Sequence, residues 1–479
     1  MPQTITIPHV TRIEGHARVS IHLDDAGEVT GAQLHVTQVR GFEKFTEGRP
    51  YYEMPSITAR ICGICPVSHL LASVKACDAI MAVQIPPAAR LLRELLHCAQ
   101  FVQSHALSFF HLSAPDLLLG MDADPAIRNI AGMIEQHPQL ARDGIALRRF
   151  GQQAIERMAG ERIHPSWTVP GGVNKPLSAD AREAILSEIP VARSIARRTV
   201  NLIKSILDRF PEEAASFGNA PTMYAGLTSP GGELRWYDGV LRFVTQEGSC
   251  AAVVEDPLDY AQFIGEAALP HSYLKAPYFK PHGFPAGQYR VGPLARLNAA
   301  SSCGTPEADA ELAEYRQRLG ERPQSAFYYH YARLIECLHG VERMERLLDE
   351  RRILDTHVRA LAGVNAREGV GIIEAPRGTL IHHYQVDGHG AITWANLIVA
   401  TGHNNLAMNQ GVEQVARHFI HQGKVEEGML NRVSALIRAY DPCLSCSTHA
   451  LGQVPLVVDL LGPGGERLRT LAAEERACV

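Results

Sequence analysis

Two C-x-x-C pairs, separated by almost the whole length of the chain, constrain this protein more than any other feature. They lie in ICGICPVSH at 61–69 and DPCLSCSTH at 441–449. Two residues between cysteines let both sulfurs of a turn or helix start face one ion. Thiolates are soft ligands that select zinc, copper(I), nickel or iron-sulfur centres over magnesium or calcium. A zinc ribbon keeps its two pairs roughly 15 to 20 residues apart. Here one shared ion would tie the two ends of the chain together in the core. A lone pair is compatible with coincidence or a local structural zinc site. Two matched pairs, each with a histidine close behind (His69 and His449), point to one shared metal. The spacing does not distinguish nickel from zinc.

Composition narrows the setting. With 46% hydrophobic and 20% charged residues among 479, the chain can bury a large core, enough for two or three domains without disulfides. Ten cysteines then suggest metal or redox chemistry before disulfides. A net charge of -5 with interspersed signs gives no basic stripe for a nucleic acid. No opening segment reads as a secretion signal, and no apolar run approaches the roughly 20 residues that span a bilayer. The expectation is a cytoplasmic protein with no membrane partner.

Three kinds of text follow one another. Segments TITIPHV, ARVSIHL and AQLHVTQV, between Thr4 and Thr37, are rich in β-branched residues and predict a small β meander or hairpin. Helical runs dominate from Pro87 to Phe210, interrupted by the cluster HPSWTVPGGVNKP at 164–176, and 215–320 is mixed. Helical text returns in FYYHYARLIECLHGVERMERLLDE, followed by a hairpin-like stretch EAPRGTLIHHYQVDGHGAITW and two further helices. The expected fold is mainly α with a minor β portion: a central helical bundle whose interior receives both chain ends. Residues 1–50 form the N-terminal β region, 51–449 the helical body with both C-x-x-C motifs, and 450–479 a C-terminal extension.

The segments RIEGHARVSIHLDDAGEV, RGFEKFTEGRP, ARICGICPVSH and YDPCLSCSTHALG together resemble the large, catalytic subunit of nickel-iron hydrogenases, in particular the cytoplasmic NAD-reducing (bidirectional) branch. The resemblance implies a nickel held by Cys62, Cys65, Cys443 and Cys446. Cys65 and Cys446 would also bridge to an iron carrying carbonyl and cyanide ligands, leaving Cys62 and Cys443 terminal on nickel. It implies that H2 is split heterolytically, which requires a Lewis acid and a nearby base. Cys443 takes the proton and Glu14 in RIEGH relays it. It also implies that Arg377 in EAPRG sits over the metal as a permanently charged, weakly hydrated cation. Pro376 and Asp441 belong to the surrounding shell, and Ser104 stands where many relatives carry an aspartate. Glu43 in RGFE and His449 match positions that help hold a magnesium ion, which needs few protein ligands. Read without the resemblance, Glu14 is a strand-end carboxylate, Arg377 a salt-bridged arginine and His449 a core hydrogen-bonding residue.

Further implications concern partners and processing. No G-x-G-x-x-G follows a strand, so NAD, FMN and iron-sulfur clusters are expected only in partner subunits. Those partners are diaphorase subunits with flavin, together with an iron-sulfur small subunit. Nickel-loading chaperones and a protease that cuts after His449 are implied too, the 479-residue chain being the uncut precursor. Alternative readings are a hydrogenase serving NADP, a deazaflavin or sulfur, a cysteine-free respiratory Complex I relative, which the retained cysteines argue against, and a four-cysteine zinc scaffold. Cys77, Cys98, Cys250, Cys303, Cys337 and Cys478 lack paired spacing, and the first two read as small buried hydrophobes. His382, His383, His389 and His403 show no convincing ligand spacing, and His164 reads as shaping a loop at a subunit contact.

Overall fold

Alternating β-branched and polar residues near the start of the chain give an antiparallel meander of Gln3–Ile7, Ala17–Leu23 and Val29–Val36. Ala17, Val19, Ile21 and Leu23 face the core while Arg18 between the first two is exposed, as strand periodicity requires. The structure is a computed structural model that describes residues 3–449, 457–461 and 467–472. The extension expected to be removed on maturation lies outside the described residues, Cys478 included, apart from strands Val457–Leu461 and Arg467–Ala472, which pair with each other.

The body is a bundle of four long helices, Pro87–Ala106, Pro138–Ala159, Ala179–Leu207 and Tyr329–Asp349, packed on one another. Proline opens the first two and a shorter helix, Pro66–Met81, where its missing N–H costs nothing. The Pro87–Ala106 helix runs on into wider π-helical turns at Leu107–Ser113 and Pro115–Leu119, a distortion the amino-acid pattern does not announce. The mixed region supplies a sheet in the order Tyr289–Arg290, Met223–Thr228, Val240–Val244, Cys250–Val254, whose first pair is parallel.

The hairpin-like stretch forms a three-stranded antiparallel sheet of Glu368–Ala375, Gly378–Val386 and Ile392–Ile398. Ala375 pairs with Gly378, so Pro376 and Arg377 are the two residues of a tight turn. The first strand lies so close to the Pro66–Met81 helix that a Cβ on Gly371 would meet the Ala72 carbonyl oxygen at 2.0 Å. Helices Asn405–Phe419 and Glu427–Tyr440 complete the body. Among the described residues, no helix is long and apolar enough to cross a membrane.

A fully buried ion network locks the sheet onto the bundle. Arg296 pairs through Nη2 with Glu336 at 2.6 Å and through Nη1 with Glu374 at 2.8 Å. It also donates to the carbonyls of Ala375 (2.9 Å) and Pro376 (3.0 Å). His105 joins Glu336 at 2.9 Å, and Thr379 joins Glu374 at 2.8 Å. Removing one partner of such a group leaves charge buried without compensation. Replacing Arg296 with Met is therefore expected to cost about 3–5 kcal/mol of stability, read as a lower midpoint in chemical denaturation.

Candidate metal centre

Each cysteine pair sits at a helix end. Cys65 is the residue before the Pro66–Met81 helix, and the amides of Ile64 and Cys65 both donate to Cys62 Sγ at 3.2 Å. Donors from elsewhere hold the carbonyls of this turn. Arg40 reaches Ile61 (2.6 Å), His164 reaches Cys62 (2.9 Å), and Gln100 and Gln103 both reach Ile64 (2.8 Å each). The other pair follows the Glu427–Tyr440 helix, which stops where Asp441 turns left-handed at φ 54°. Asp tolerates that conformation better than most residues. The Cys443 amide then donates to Thr401 Oγ1 at 2.9 Å.

The four sulfurs converge. Cys62 faces Cys443 at 3.5 Å and Cys65 faces Cys446 at 3.9 Å, and all four ligand atoms lie within 4.8 Å of one another. Among the described residues this is the one converging group of metal-ligating side chains. Burial pushes the Cys443 and Cys446 thiols up, whereas Cys65 is held well below the ordinary thiol range by hydrogen bonds from Cys443, Cys446 and Cys62. Such a cluster carries one negative charge readily. Further charge requires a cation in its midst, so this donor set fits a soft metal.

Arg377, at its tight turn, is buried beside the cluster. Its Nε donates to the Asp441 carbonyl at 2.7 Å, Nη2 to Asp441 Oδ1 at 3.1 Å, and Nη1 to Ser104 Oγ at 3.4 Å. Burial opposes its charge, but Asp441 and the thiols of Cys443, Cys65 and Cys62 more than offset this and keep it protonated. Pro376 precedes it, with its carbonyl held by Arg296.

Glu14 approaches from the N-terminal side. Its carbonyl accepts from the Leu444 amide at 3.1 Å, forming a parallel bridge with Cys443. Its Oε2 lies 3.1 Å from both Cys443 Sγ and the Ser445 amide, and the Ser445 hydroxyl donates to Oε1. Gly15 must be glycine here, because φ is +86° and a Cβ would lie 2.7 Å from Leu444 Cβ.

Glu43 and His449 line one small cavity, with Glu266, Lys275 and Leu397. Burial pushes the Glu43 carboxyl up to about 7, and its Oε1 accepts from the Leu397 amide at 2.9 Å. His449 Nε2 donates to the Cys446 carbonyl, Phe42 packs edge-on to its ring, and its buried Nδ1 has no hydrogen-bond partner. The other histidines serve elsewhere. His69 bonds His382 at 3.1 Å and His382 bonds Tyr384 at 2.6 Å, while His383 sits between Tyr260 and Glu368 and His403 bonds Tyr289. Cys77 and Cys98 are buried in the core.

Nothing in the linear text warns of the residues behind the site. Arg296, Glu336 and Glu374 hold the Arg377 turn, and Asp116 with Arg438 holds the Glu14 loop, through contacts between residues far apart in the chain. No spacing rule finds such pairs. An arginine within an apolar helical run is the nearest available signal.

Comparison with known proteins is decisive. The family profile described as nickel-dependent hydrogenase matches residues 40–138 and 236–449, and one described as HoxL-like matches 4–39. The chain belongs to the nickel-dependent hydrogenase family. It is similar to a vhu polypeptide of the F420-non-reducing hydrogenase of Methanococcus voltae, at 44% identity over 86% of this chain and 98% of that protein. It is also similar to the beta polypeptide of HoxS, the NAD-reducing hydrogenase of Cupriavidus necator, at 40% identity over 97% of this chain and 98% of that protein. A crystal structure of an NAD+-reducing [NiFe]-hydrogenase in the H2-reduced state matches with TM-score 0.91 and 46% identity, covering 93% of this chain and 99% of that one. The chain is thus the large subunit of a nickel-iron hydrogenase, an enzyme of hydrogen oxidation, and the four-cysteine cluster is its metal centre. Large subunits of this family work with a small iron-sulfur subunit.

Replacing Cys62 with Ser removes a soft ligand and both amide-to-sulfur bonds. Nickel content of the purified complex, measured by elemental analysis, should fall to a small fraction of wild type. Arg377→Lys keeps the charge but cannot span Asp441 and Ser104 together. It is expected to retain nickel while losing on the order of 100-fold in turnover, the usual effect of removing one preorganised donor.

Proposed function

We propose that Cys443 Sγ accepts the proton of heterolytically split H2 and passes it to Glu14, with the released electrons leaving through a partner subunit. The observation carrying this reading is the 3.1 Å contact between Cys443 Sγ and Glu14 Oε2 at the edge of the four-thiol cluster. When bound, the nickel-iron group, with carbonyl and cyanide on its iron, supplies the Lewis acidity that polarises H2 and takes up its electrons. Cys62, Cys65, Cys443 and Cys446 would together hold this group in this reading.

The surrounding residues have separate tasks. The Ser445 amide and hydroxyl hold the Glu14 carboxylate so that one oxygen faces the thiol. Arg377 offsets negative charge on the sulfurs, Asp441 fixes its orientation, and Pro376 shapes the turn that presents it. Ser104 leaves Arg377 with one carboxylate neighbour where many relatives would place two. Glu43 and the orphaned His449 Nδ1 would be two candidate ligands for a magnesium ion, which needs few from the protein.

Beyond the chain, we infer a cytoplasmic complex in which the small subunit passes electrons to a flavin-bearing diaphorase and on to NAD. The likeness to the NAD-reducing proteins spans nearly the whole chain and includes the TM-score of 0.91. H2-dependent reduction of NAD, NADP, a deazaflavin and sulfur by the native complex separates these acceptors, and reduction of NAD alone is the expected result. Nickel loading by chaperones and proteolysis after His449 complete this reading. An intact mass ending at His449 in nickel-loaded protein is expected, and a loaded species ending at Val479 would overturn the processing step.

Glu14→Gln preserves the shape and one acceptor oxygen but cannot carry the proton. Turnover in dye-coupled H2 oxidation should drop by about 10²–10⁴-fold, the range for general acid-base groups, while nickel content stays unchanged.

A further inference from the structure

Glu14 lies in an irregular loop between the first two strands, and such a loop does not hold a carboxylate to a fraction of an ångström without help. Arg12, two residues before it, adopts a left-handed φ of 59°, which costs on the order of 1 kcal/mol for a residue with a side chain. A strained residue persists only where its surroundings over-determine it. Its Nη2 pairs with Asp116 Oδ1 at 2.5 Å and its Nη1 donates to the Leu112 carbonyl at 2.7 Å, both in the π-helical extension of the Pro87–Ala106 helix.

Asp116 is 2% exposed and gathers more than Arg12. Arg438 Nη1 reaches its Oδ2 at 2.9 Å, Arg128 Nε approaches Oδ1 at 3.5 Å, and Asn431 donates to Oδ1 at 3.1 Å. Arg438 in turn donates from Nε to the Thr11 carbonyl at 2.9 Å and from Nη2 to Thr11 Oγ1 at 3.3 Å. Thr11 and Arg12 are therefore both fastened, one through Arg438 and one directly, to the same buried carboxylate. Glu14 and Gly15 continue from this anchor onto Leu444 and Ser445.

We propose that Asp116 is a positioning residue for proton transfer: it anchors the Thr11–Arg12 segment and so sets the distance between Glu14 and Cys443. This rests on the reading of Glu14 as the proton carrier. The contrast with Asp441 supports it. Asp441 touches the guanidinium next to the metal centre, whereas Asp116 touches neither the cysteines nor Glu14; it reaches Glu14 through Arg12 and through Arg438, which also carries the Glu427–Tyr440 helix to the same carboxylate.

The test is a double-mutant cycle in the intact complex with Asp116→Asn, Glu14→Gln and both together, nickel content being checked in each. Asp116→Asn should lower kcat for H2 oxidation about 10-fold or more, leave the KM for H2 unchanged and raise the solvent isotope effect. In the Glu14→Gln background it should add nothing, because a residue acting through Glu14 has nothing left to act on. Independently of turnover, the Leu444 and Ser445 amides, both of which donate to Glu14, should exchange hydrogen faster in Asp116→Asn. Multiplicative losses, or unchanged kcat and unchanged exchange, would overturn the proposal. Full activity in Glu14→Gln would instead remove the reading of Glu14 while leaving the exchange result to judge the anchor. If Asp116→Asn does not fold, Arg12→Ala carries the same cycle, because that side chain is partly exposed and its loss leaves Asp116 paired with Arg438.

Discussion

Sulfur atoms 381 residues apart in the chain meet at 3.5 Å, and the arrangement of every other element is subordinate to that meeting. Closing a loop of that length costs about 5 kcal/mol of chain entropy beyond a constant term. The metal does not meet this cost by itself. The Pro66–Met81 helix starts at one cysteine pair and the Glu427–Tyr440 helix ends just before the other, so packing of the helices within the body already brings the two turns face to face. The bridge between Glu14 and Cys443 adds the N-terminal meander to the same junction. A single centre thereby ties three remote stretches of sequence into one core.

Electrostatics at this junction favours arginine over lysine. A guanidinium remains charged where an ammonium would lose its proton, and its planar fork serves Asp441 and Ser104 at once. Its position depends on a second, deeper arginine. Arg296 binds the Ala375 and Pro376 carbonyls, so the tight turn carrying Arg377 is held by charge-assisted bonds instead of by turn propensity alone. Two fully buried glutamates are needed to keep Arg296 there, which accounts for so much ionised material in an apolar bundle.

Much of this is legible in the sequence where the signal is local. Alternation in TITIPHV and ARVSIHL identifies the meander, long periodic runs identify the helices, and the repeated C-x-x-C spacing singles out the four sulfurs. Cys77 and Cys98, read as small hydrophobes, are core residues. The π-helical turns at 107–119 are not legible, because no composition rule marks them. Neither is the Arg296 network or the Asp116 cluster. Asp116 and Arg438 are 322 positions apart, and one sequence offers no covariation to pair them. The histidine-rich strand resists assignment for a related reason: His382 and His383 point to opposite sides of a strand, so adjacency in sequence makes them neighbours of different partners.

The two cysteine turns share one kind of support and differ in the carboxylate beside one of them, and the difference bears on the chemistry. Around Cys62 and Cys65 every carbonyl from Ile61 to Ile64, apart from Gly63, receives a side-chain donor, so this turn is a rigid cradle with its sulfurs facing inward. Around Cys443 and Cys446 the carbonyls of Asp441, Cys443, Leu444 and Cys446 likewise receive side-chain donors, and the amides of Leu444 and Ser445 in addition point out to Glu14, a residue only half-buried. Carbonyl-caged turns suit ligands that must not move. The Ser445 amide and hydroxyl also hold a carboxylate beside Cys443, which suits the ligand proposed to give up a proton each cycle. Among the described residues, Cys443 alone of the four has a titratable side-chain oxygen at hydrogen-bond distance, and the proposed route for protons rests on that contact.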